Sequence, residues 1–322
     1  MNILVTGGAG FIGSNFIRYM IRKYHNYNII NYDALTYSGN LNNLSDIEET
    51  LNYTFVKGEI QNRELVERVI CKYKIDVVIN FAAESHVDRS ITSPTLFYDT
   101  NVLGVVVLLE AIRKYKNIKF IQISTDEVYG SLGNEGAFSE NTPLSPSSPY
   151  SSSKASADLI TLSYHKTYGM DINITRCSNN YGPYQHPEKL IPLMITNLLE
   201  GKILPLYGNG KNVRDWLHVY DHCAAIDLVL HKGRNGEVYN IGGNNEKKNI
   251  EVVKKILHKL KKPESSIDFV QDRLGHDWRY AINANKITKE LGWNPTYRFE
   301  DGLEETIQWY IEHKNWWEPL KK

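Results

Sequence analysis

The eight residues Thr6-Gly7-Gly8-Ala9-Gly10-Phe11-Ile12-Gly13 stand between an apolar run that reads as a strand, NILVT (2–6), and a segment with helical periodicity, FIGSNFIRYMIRKY (11–24). Gly7, Gly10 and Gly13 keep a three-residue spacing, and Gly8, Gly10 and Gly13 also fit G-x-G-x-x-G. Glycines let the backbone turn sharply and approach a pyrophosphate with no Cβ in the way. The helix that follows, through Phe11, Ile12 and Gly13, offers free N–H groups and a partial positive charge to phosphates. Asp33 lies twenty residues past Gly13, at the end of the next apolar run. A carboxylate there can accept both ribose hydroxyls and repels a 2′-phosphate, so NAD is expected rather than NADP. The competing reading, an ordinary glycine-rich turn with Asp33 capping a loop, leaves the strand, the helix and the acid unexplained together.

Downstream, the first half alternates β-branched runs, NIINY (28–32), YTFVKG (53–58), DVVINFA (76–82), KFIQIS (119–124) and INITRC (172–177), with helical patterns, including one from about Pro94 to Tyr115. Strands apolar on both faces and separated by helices imply a parallel sheet covered on both sides. Right-handed crossovers then make this an α/β, doubly wound, Rossmann-type fold. After Cys177 the strands shorten, and Pro, Asn, Gly and Trp become frequent. This predicts a smaller, partly interleaved C-terminal substrate-binding lobe, because VYDHCAAIDLVL (219–230) and EVYNIGG (237–243) read as one more helix and strand of the first. The expected division is 1–177, with 213–243 returning to it, and 178–322.

Lys plus Arg (37) balance Asp plus Glu (37), so no net field recruits nucleic acid or an anionic membrane. The basic segment KKILHKLKK (254–262) repeats apolar residues at helical spacing and reads as the wet face of an amphipathic helix. Cys71, Cys177 and Cys223 are widely spaced with no CxxC, which fits a reducing compartment. A strand starting at residue 2 leaves no room for an export signal, and the apolar run VLGVVVLLEAI (102–112) is too short to span a bilayer. A cytoplasmic location is expected. The scattered histidines lack metal-site spacing, so no metal is expected.

Two motifs carry chemistry. STDEVYG (124–130) sets Asp126 and Glu127 where an apolar strand ends, and an ionised carboxylate in a poorly hydrated place is costly unless something compensates. It reads either as a solvated acidic turn or as an acid and a base held over a substrate. Tyr150-Ser-Ser-Ser-Lys154 opens a helical segment with both side chains on one face. A nearby ammonium favours the phenolate, so Lys154 is expected to lower the Tyr150 pKa and let the phenol take a proton from an alcohol.

On these motifs, together with FAAESHVDRSI (81–91), SPYSSSKA (148–155), NNYGPYQHPEKLIP (179–192), RDWLHVYDHC (214–223) and DRLGHDWRY (272–280), the chain resembles the dTDP-glucose 4,6-dehydratases, a branch of the extended short-chain dehydrogenase/reductases. The resemblance runs from Met1 to about Trp317. Related epimerases and decarboxylases usually carry no Asp-Glu pair at that position. The resemblance implies an NAD-dependent lyase of nucleotide-sugar metabolism, serving rhamnose or another deoxysugar. Tyr150 would be the base at the 4-hydroxyl and Thr125 the hydrogen-bond partner of O4. Glu127 would take the C5 proton and Asp126 protonate the departing 6-hydroxyl.

It further implies that Asp33, Leu35 and Thr36 meet the adenosine ribose, and that Glu59 and Ile60 flank the adenine. The family usually has Asp where Glu59 stands. Phe81, Ala82, Ala83 and Ser85 would line the cofactor, with Thr100 near the nicotinamide ribose, Lys154 on ribose hydroxyls and Asn180 near nicotinamide. Ser85 and His86 would approach the sugar, although His86 also reads as a loop histidine satisfied by its neighbours. Asn179, Glu188, Lys189, Leu190, Pro205, Tyr207, Arg214, Asn249, Asp272, Arg273 and His276 match the nucleotide-sugar site. Arg214 and Arg273 suit a diphosphate, since guanidinium binds it bidentately, and a surface salt bridge is the alternative for each. A homodimer is implied, through helices at about 94–115 and 150–168. A UDP-sugar 4-epimerase, a UDP-glucuronate decarboxylase, and a non-catalytic NAD-binding sensor or scaffold are the rival readings, and none of them has a use for Asp126 and Glu127.

Overall fold

The computed structural model describes residues 1–115 and 117–321. The apolar runs form β1 (Asn2–Thr6), β2 (Asn28–Asp33), β3 (Tyr53–Lys57), β4 (Val77–Asn80), β5 (Lys119–Thr125) and β6 (Ile172–Cys177). Beyond them come β7 (Asn179–Tyr181), β8 (Leu204–Tyr207), β9 (Val213–His218), β10 (Val238–Ile241), β11 (Glu246–Lys248) and β12 (Ile267–Val270). One seven-stranded sheet has the order β10-β6-β5-β4-β1-β2-β3, and every pair in it is parallel. Strand order reverses between β1 and β4, and in such sheets the crevice at the carboxyl ends there is the ligand site. Thr6 Oγ1 donates to Asn80 Oδ1 at 2.5 Å, and Asn80 Nδ2 donates to Gln122 Oε1 at 2.8 Å. These bonds cross-tie β1, β4 and β5 where the functional loops leave the sheet.

The helices that matter are α1 (Phe11–Lys23), α2 (Arg63–Tyr73), α3 (Val87–Thr92), α4 (Pro94–Tyr98), α5 (Gly104–Arg113), α6 (Pro149–Tyr168), α7 (Leu190–Leu199), α8 (Val219–Lys232), α9 (Asn249–Lys259), α10 (Asn285–Leu291) and α11 (Phe299–Glu312). One sheet face is covered by α1, α8 and α10 through Phe16, Met20, Ile226, Val229 and Ile287. The other is covered by α2, α5 and α6 through Val66, Leu108, Leu109 and Ala157. A third core joins α7, α9 and α11 through Met194, Ile256, Leu257, Leu303 and Tyr310. Two smaller sheets, β11-β9-β7 and β12-β8, lie outside the large one.

The single helix expected from Pro94 to Tyr115 is three pieces, because a π-helical turn at Asp99–Leu103 separates α4 from α5. Such bulges concentrate at functional sites, and this one holds Thr100 and Asn101. The 20-residue run Pro94–Arg113, with a mean hydropathy of 1.5 in an 18-residue window, is long and apolar enough to cross a membrane by length and composition alone. In the fold its apolar side covers the sheet, with Val105, Leu108 and Leu109 all at 0% exposure.

A buried ion pair fixes the strand that follows the catalytic helix. Arg176 Nε on β6 donates to Asp158 Oδ2 on α6 at 2.8 Å, with both side chains buried. Arg176 Nη1 also donates to Tyr129 OH at 2.9 Å, and that hydroxyl donates to Asn240 Oδ1 on β10 at 2.8 Å. Breaking one partner of such a pair leaves an uncompensated charge, at a cost of about 3–5 kcal/mol. Arg176→Met is expected to lower the urea midpoint accordingly, and Arg176→Met with Asp158→Leu to recover most of the loss. A single variant as stable as the native chain would contradict this account.

Candidate active site

The glycine turn has the backbone that its spacing demands. Gly7 has φ +68°, and a Cβ there would stand 2.5 Å from the Ala82 backbone nitrogen. A Cβ on Gly13 would stand 2.4 Å from the Gly7 carbonyl oxygen. Helix α1 starts with no side-chain cap and no acid in its first turn, so its first N–H groups stay free for an anion. Asp33, at the end of β2, accepts from Ala9 N at 2.9 Å and from Leu35 N at 2.8 Å. Burial pushes its carboxyl above the usual range, and the two backbone donors pull it back. Leu35 is held at φ +55° beside it.

A cavity of about 410 Å³ runs along this edge of the sheet. At one end are Asp33, Thr36, Glu59 and Ile60; along its floor lie Gly7, Gly10, Phe11, Ile12, Gly13, Phe81, Ala82, Ala83, Ser85 and Thr100. At the other end Thr125, Glu127, Tyr150, Lys154, Asn179, Asn180, Glu188 and Lys189 come together. An acid for ribose hydroxyls, a Cβ-free turn at a helix N-terminus and an elongated cavity fit a dinucleotide.

The adjacent carboxylates open a 3₁₀ turn, Asp126–Tyr129. Thr125 caps it, its Oγ1 accepting from Glu127 N at 3.3 Å. Asp126 is 1% exposed, does not line the cavity, and keeps one carboxyl oxygen buried without a partner. Burial, then Glu127, then Asp215 push its carboxyl well above the usual range. Glu127 faces the cavity and is also raised by burial, but Arg273, Arg214 and Lys189 pull it down. Both carboxyls are raised, Asp126 the more strongly, because three cations offset burial at Glu127 whereas Glu127 and Asp215 add to it at Asp126.

Tyr150 and Lys154 share a face of α6 that opens on the same end, where Ser148 and Ser151 form a capping box. The expected lowering of the phenol does not occur in the free chain. Lys154 Nζ donates to the Ile123 carbonyl at 2.7 Å, and burial lowers the amine. Burial first, then the Glu127 charge, push Tyr150 well above its ordinary value, with Thr125 acting against them. The desolvated phenol surrounded by carboxylates outweighs the one ammonium.

The residues expected to meet the nucleotide sugar fall into two groups. Lys189 Nζ donates to the Ser85 carbonyl at 2.9 Å, and Ser85, Glu188 and Lys189 line the cavity; His86 stays outside the lining, its Nε2 3.6 Å from Glu188 Oε2. Burial, then Lys189, keep His86 below its ordinary pKa. The others, Leu190 at the start of α7, Pro205 and Tyr207 on β8, Arg214 on β9, Asn249 at the start of α9, and Asp272, Arg273 and His276, do not line it. Arg214 lies over the Tyr280 ring at 4.2 Å and donates to the carbonyls of Val213 and Asp277, which occupies its fork. Asp88 closes that side by accepting from Tyr207 OH at 3.0 Å and facing Arg273 Nη1 at 3.6 Å. His276 Nδ1 sits 2.6 Å from Asp272 Oδ1. Leu35 also stays outside the lining.

Several lining residues escaped the sequence reading: Asn43, Tyr184, Gln185, Cys177 and Trp316. His222 lies behind Asn180, its Nδ1 2.9 Å from Asn180 Oδ1, while Asn180 Nδ2 donates to Ser178 O at 2.9 Å. Burial takes His222 down to about 3, so the neutral ring donates and fixes the amide. It lies within RDWLHVYDHC (214–223), but the motif gave it no role, because its role is contact across 42 residues.

Residues 4–306 match the family described as GDP-mannose 4,6 dehydratase. A dTDP-glucose 4,6-dehydratase of Xanthomonas campestris pv. campestris (strain B100) is 52% identical over 331 residues, covering 97% of this chain and 94% of that one. The crystal structure of a dTDP-glucose 4,6-dehydratase from Bacillus anthracis str. Ames in complex with NAD is 65% identical, with a TM-score of 0.94 and 99% of each chain covered. A dTDP-glucose 4,6-dehydratase of Streptomyces venezuelae, solved with NAD bound, is 49% identical, with a TM-score of 0.97 over 99% of this chain and 100% of that one.

The raised Asp126 has a consequence for stability. Because its folded pKa lies above the unfolded value, its stabilising contribution is complete below about pH 3.9 and is lost as pH rises through the folded pKa. Asp126→Asn is therefore expected to be more stable than the native chain at pH 7, by more than the ~0.5 kcal/mol of an ordinary surface change. The gap should close below about pH 4. Thermal melts across that range check it, and a variant less stable at pH 7 would refute it.

Proposed function

This chain belongs to the dTDP-glucose 4,6-dehydratase family, and from that premise we propose that it converts dTDP-glucose to dTDP-4-keto-6-deoxyglucose and water, using NAD held in the cavity. Asp33, Thr36, Glu59 and Ile60 would hold the adenosine end and Gly7–Gly13 the pyrophosphate. Phe81–Ser85, Thr100, Lys154 and Asn180 would hold the nicotinamide end. The observation that carries the reading is the placement of an adjacent carboxyl pair at the cavity end that holds Tyr150, with Glu127 facing the cavity and Asp126 buried behind it; this supports Asp126 as the acid and Glu127 as the base.

A C5–H of an intact hexose is not acidic, and a ketone at C4 makes it so. NAD, when bound, takes up the C4 hydride, returns one at C6, and in its oxidised form adds a positive charge to the cavity. That charge and the Lys154 ammonium favour the Tyr150 phenolate, which takes the proton of the 4-hydroxyl while Thr125 hydrogen-bonds O4. Glu127 then removes the C5 proton. Asp126, which stands behind the cavity lining in the free chain with one buried oxygen unpartnered, would turn towards the bound sugar and give its proton to the departing 6-hydroxyl as water leaves. Glu127 finally returns a proton to C5, and the cycle carries no net redox change. A 4-epimerase or a decarboxylase needs neither carboxyl.

The group around Arg214, Arg273, Tyr207, Asp272 and His276 supports a site for the nucleoside diphosphate once the Asp88 contacts open. Exposed apolar side chains on the paired helices, Leu103 at 56% and Leu159 at 58%, support a homodimer through them. Three unpaired cysteines support a cytoplasmic location.

Incubation with dTDP-glucose is expected to give the 4-keto-6-deoxy sugar with no build-up of reduced NAD. In deuterated water the product should carry deuterium at C5. Glu127→Gln is expected to lower product formation about 10²–10⁴-fold while still oxidising C4. Unchanged sugar or a 4-epimer would end the proposal, and a Glu127→Gln chain unable to oxidise C4 would reassign that residue.

A further inference from the structure

The last turn of the chain reaches back to the glycine loop. Trp316 and Leu320 line the cavity that also holds Gly7, Gly10 and Gly13. Trp316 Nε1 donates to Asn43 Oδ1 at 2.8 Å, and Asn43 Nδ2 donates to the Ala9 carbonyl at 2.8 Å. Ala9 belongs to the glycine turn, and its own N–H is the one that Asp33 accepts. Asn43 is 2% exposed, and Arg18 of α1 donates to its carbonyl while holding Asp46 at 2.8 and 2.9 Å. The Trp316 ring meets the edge of Tyr184, with centroids 5.6 Å apart, and the Arg18 guanidinium lies 4.5 Å over that tyrosine.

Both ends of this segment are anchored in the other lobe. Trp317 is fully buried and its Nε1 donates to Tyr310 O at 2.7 Å on α11. Lys321 Nζ reaches Asn197 Oδ1 at 2.8 Å and Glu200 Oε2 at 2.6 Å at the end of α7. A segment pinned to α11 and α7 thus crosses to the sheet domain and meets it through one indole, one amide and one carbonyl.

We propose that residues 314–321 form a strap that retains the dinucleotide, with Trp316 and Asn43 as positioning residues that hold the glycine turn closed. The inference rests on the reading of the cavity as an NAD site. Its chemical sense is that two electrons taken from C4 must stay in the site until they return at C6, so a cofactor that leaves in mid-cycle strands a keto intermediate. A strap that releases slowly serves such an enzyme, whereas a dehydrogenase that exchanges its cofactor each turnover has no use for it.

The test is the rate at which the full-length protein, loaded with NAD, releases it on dilution, and the NAD retained per chain after gel filtration. Trp316→Phe keeps a ring and loses the N–H donor; its release rate should rise several-fold, up to about tenfold. Lys321→Ala touches nothing in the cavity but frees the far end of the strap. It should also release NAD faster, and its kcat with saturating added NAD should match the native chain. Release rates within twofold of native in both variants would overturn the strap. So would a Lys321→Ala enzyme whose kcat stays low at saturating NAD, since that places the segment in the fold and not in retention. A native chain that binds no NAD sinks the cavity reading itself, a different failure seen before any variant is made.

Discussion

Desolvation at the end of β5 is the constraint on which the rest of the site depends. Asp126 and Glu127 are both removed from water there, and burial is the largest influence on each. Two carboxylates so placed cannot both stay ionised without opposing charge. The charges that oppose Glu127 come from Arg273, Arg214 and Lys189, all from beyond β6 in the chain. Asp126 has Glu127 and Asp215 as its strongest electrostatic neighbours, both acidic. The asymmetry between the two carboxyls therefore depends on residues from beyond β6 meeting the end of β5.

The sheet supplies what the second lobe cannot, namely rigid placement. The reversal of strand order between β1 and β4 gathers the glycine turn, the 81–86 loop and the STDE turn at one edge. The Thr6–Asn80–Gln122 bonds keep those three strand ends in register. Behind the π-helical turn, Asn101 accepts from Glu84 N at 2.9 Å, donates to Glu84 O at 3.0 Å, and donates to Ser153 Oγ on α6 at 2.9 Å. One amide thus ties the loop over the cavity to the helix that carries Tyr150 and Lys154. Such a bulge trades helix regularity for a side chain aimed inward at the right height.

The fold was largely legible because its signals are periodic or local. Alternating apolar runs, the glycine turn and Asp33 each speak through neighbours in sequence, and all lead to the parallel sheet. The turn of β5 was legible as an acidic pair, but not which acid faces the cavity, since a 3₁₀ turn and an extended chain point those side chains differently. Helix periodicity could not reveal the break at Asp99–Leu103, because an inserted π turn leaves the apolar pattern almost intact. Arg214 illustrates the opposite limit. A guanidinium suited to a diphosphate by residue type is engaged here by Tyr280 and two carbonyls, contacts that no spacing announces. The roles of His222 and Trp316 were illegible for the same reason: each acts on a partner 42 or 273 residues away.

A redox cycle that begins and ends with the same cofactor state places unusual weight on containment. Electrons, a C5 proton and a departing hydroxyl must all be handled before anything exchanges with solvent, since each step supplies what the next consumes. The chain's polar contacts between lobes fall where that demand would put them. Lys189 grips the Ser85 carbonyl over the reacting end, and Asp88 spans to Tyr207 and Arg273 beside it. Trp316 reaches Asn43 over the glycine turn at the opposite end. All of these join the second lobe to loops leaving the carboxyl edge of the sheet, while the sheet's own faces are held by apolar packing. Apolar contact fixes the scaffold once, and hydrogen bonds that can break and re-form close the ends of the cavity. That division lets substrate enter and product leave without disturbing the strands that aim Thr125, Asp126 and Glu127.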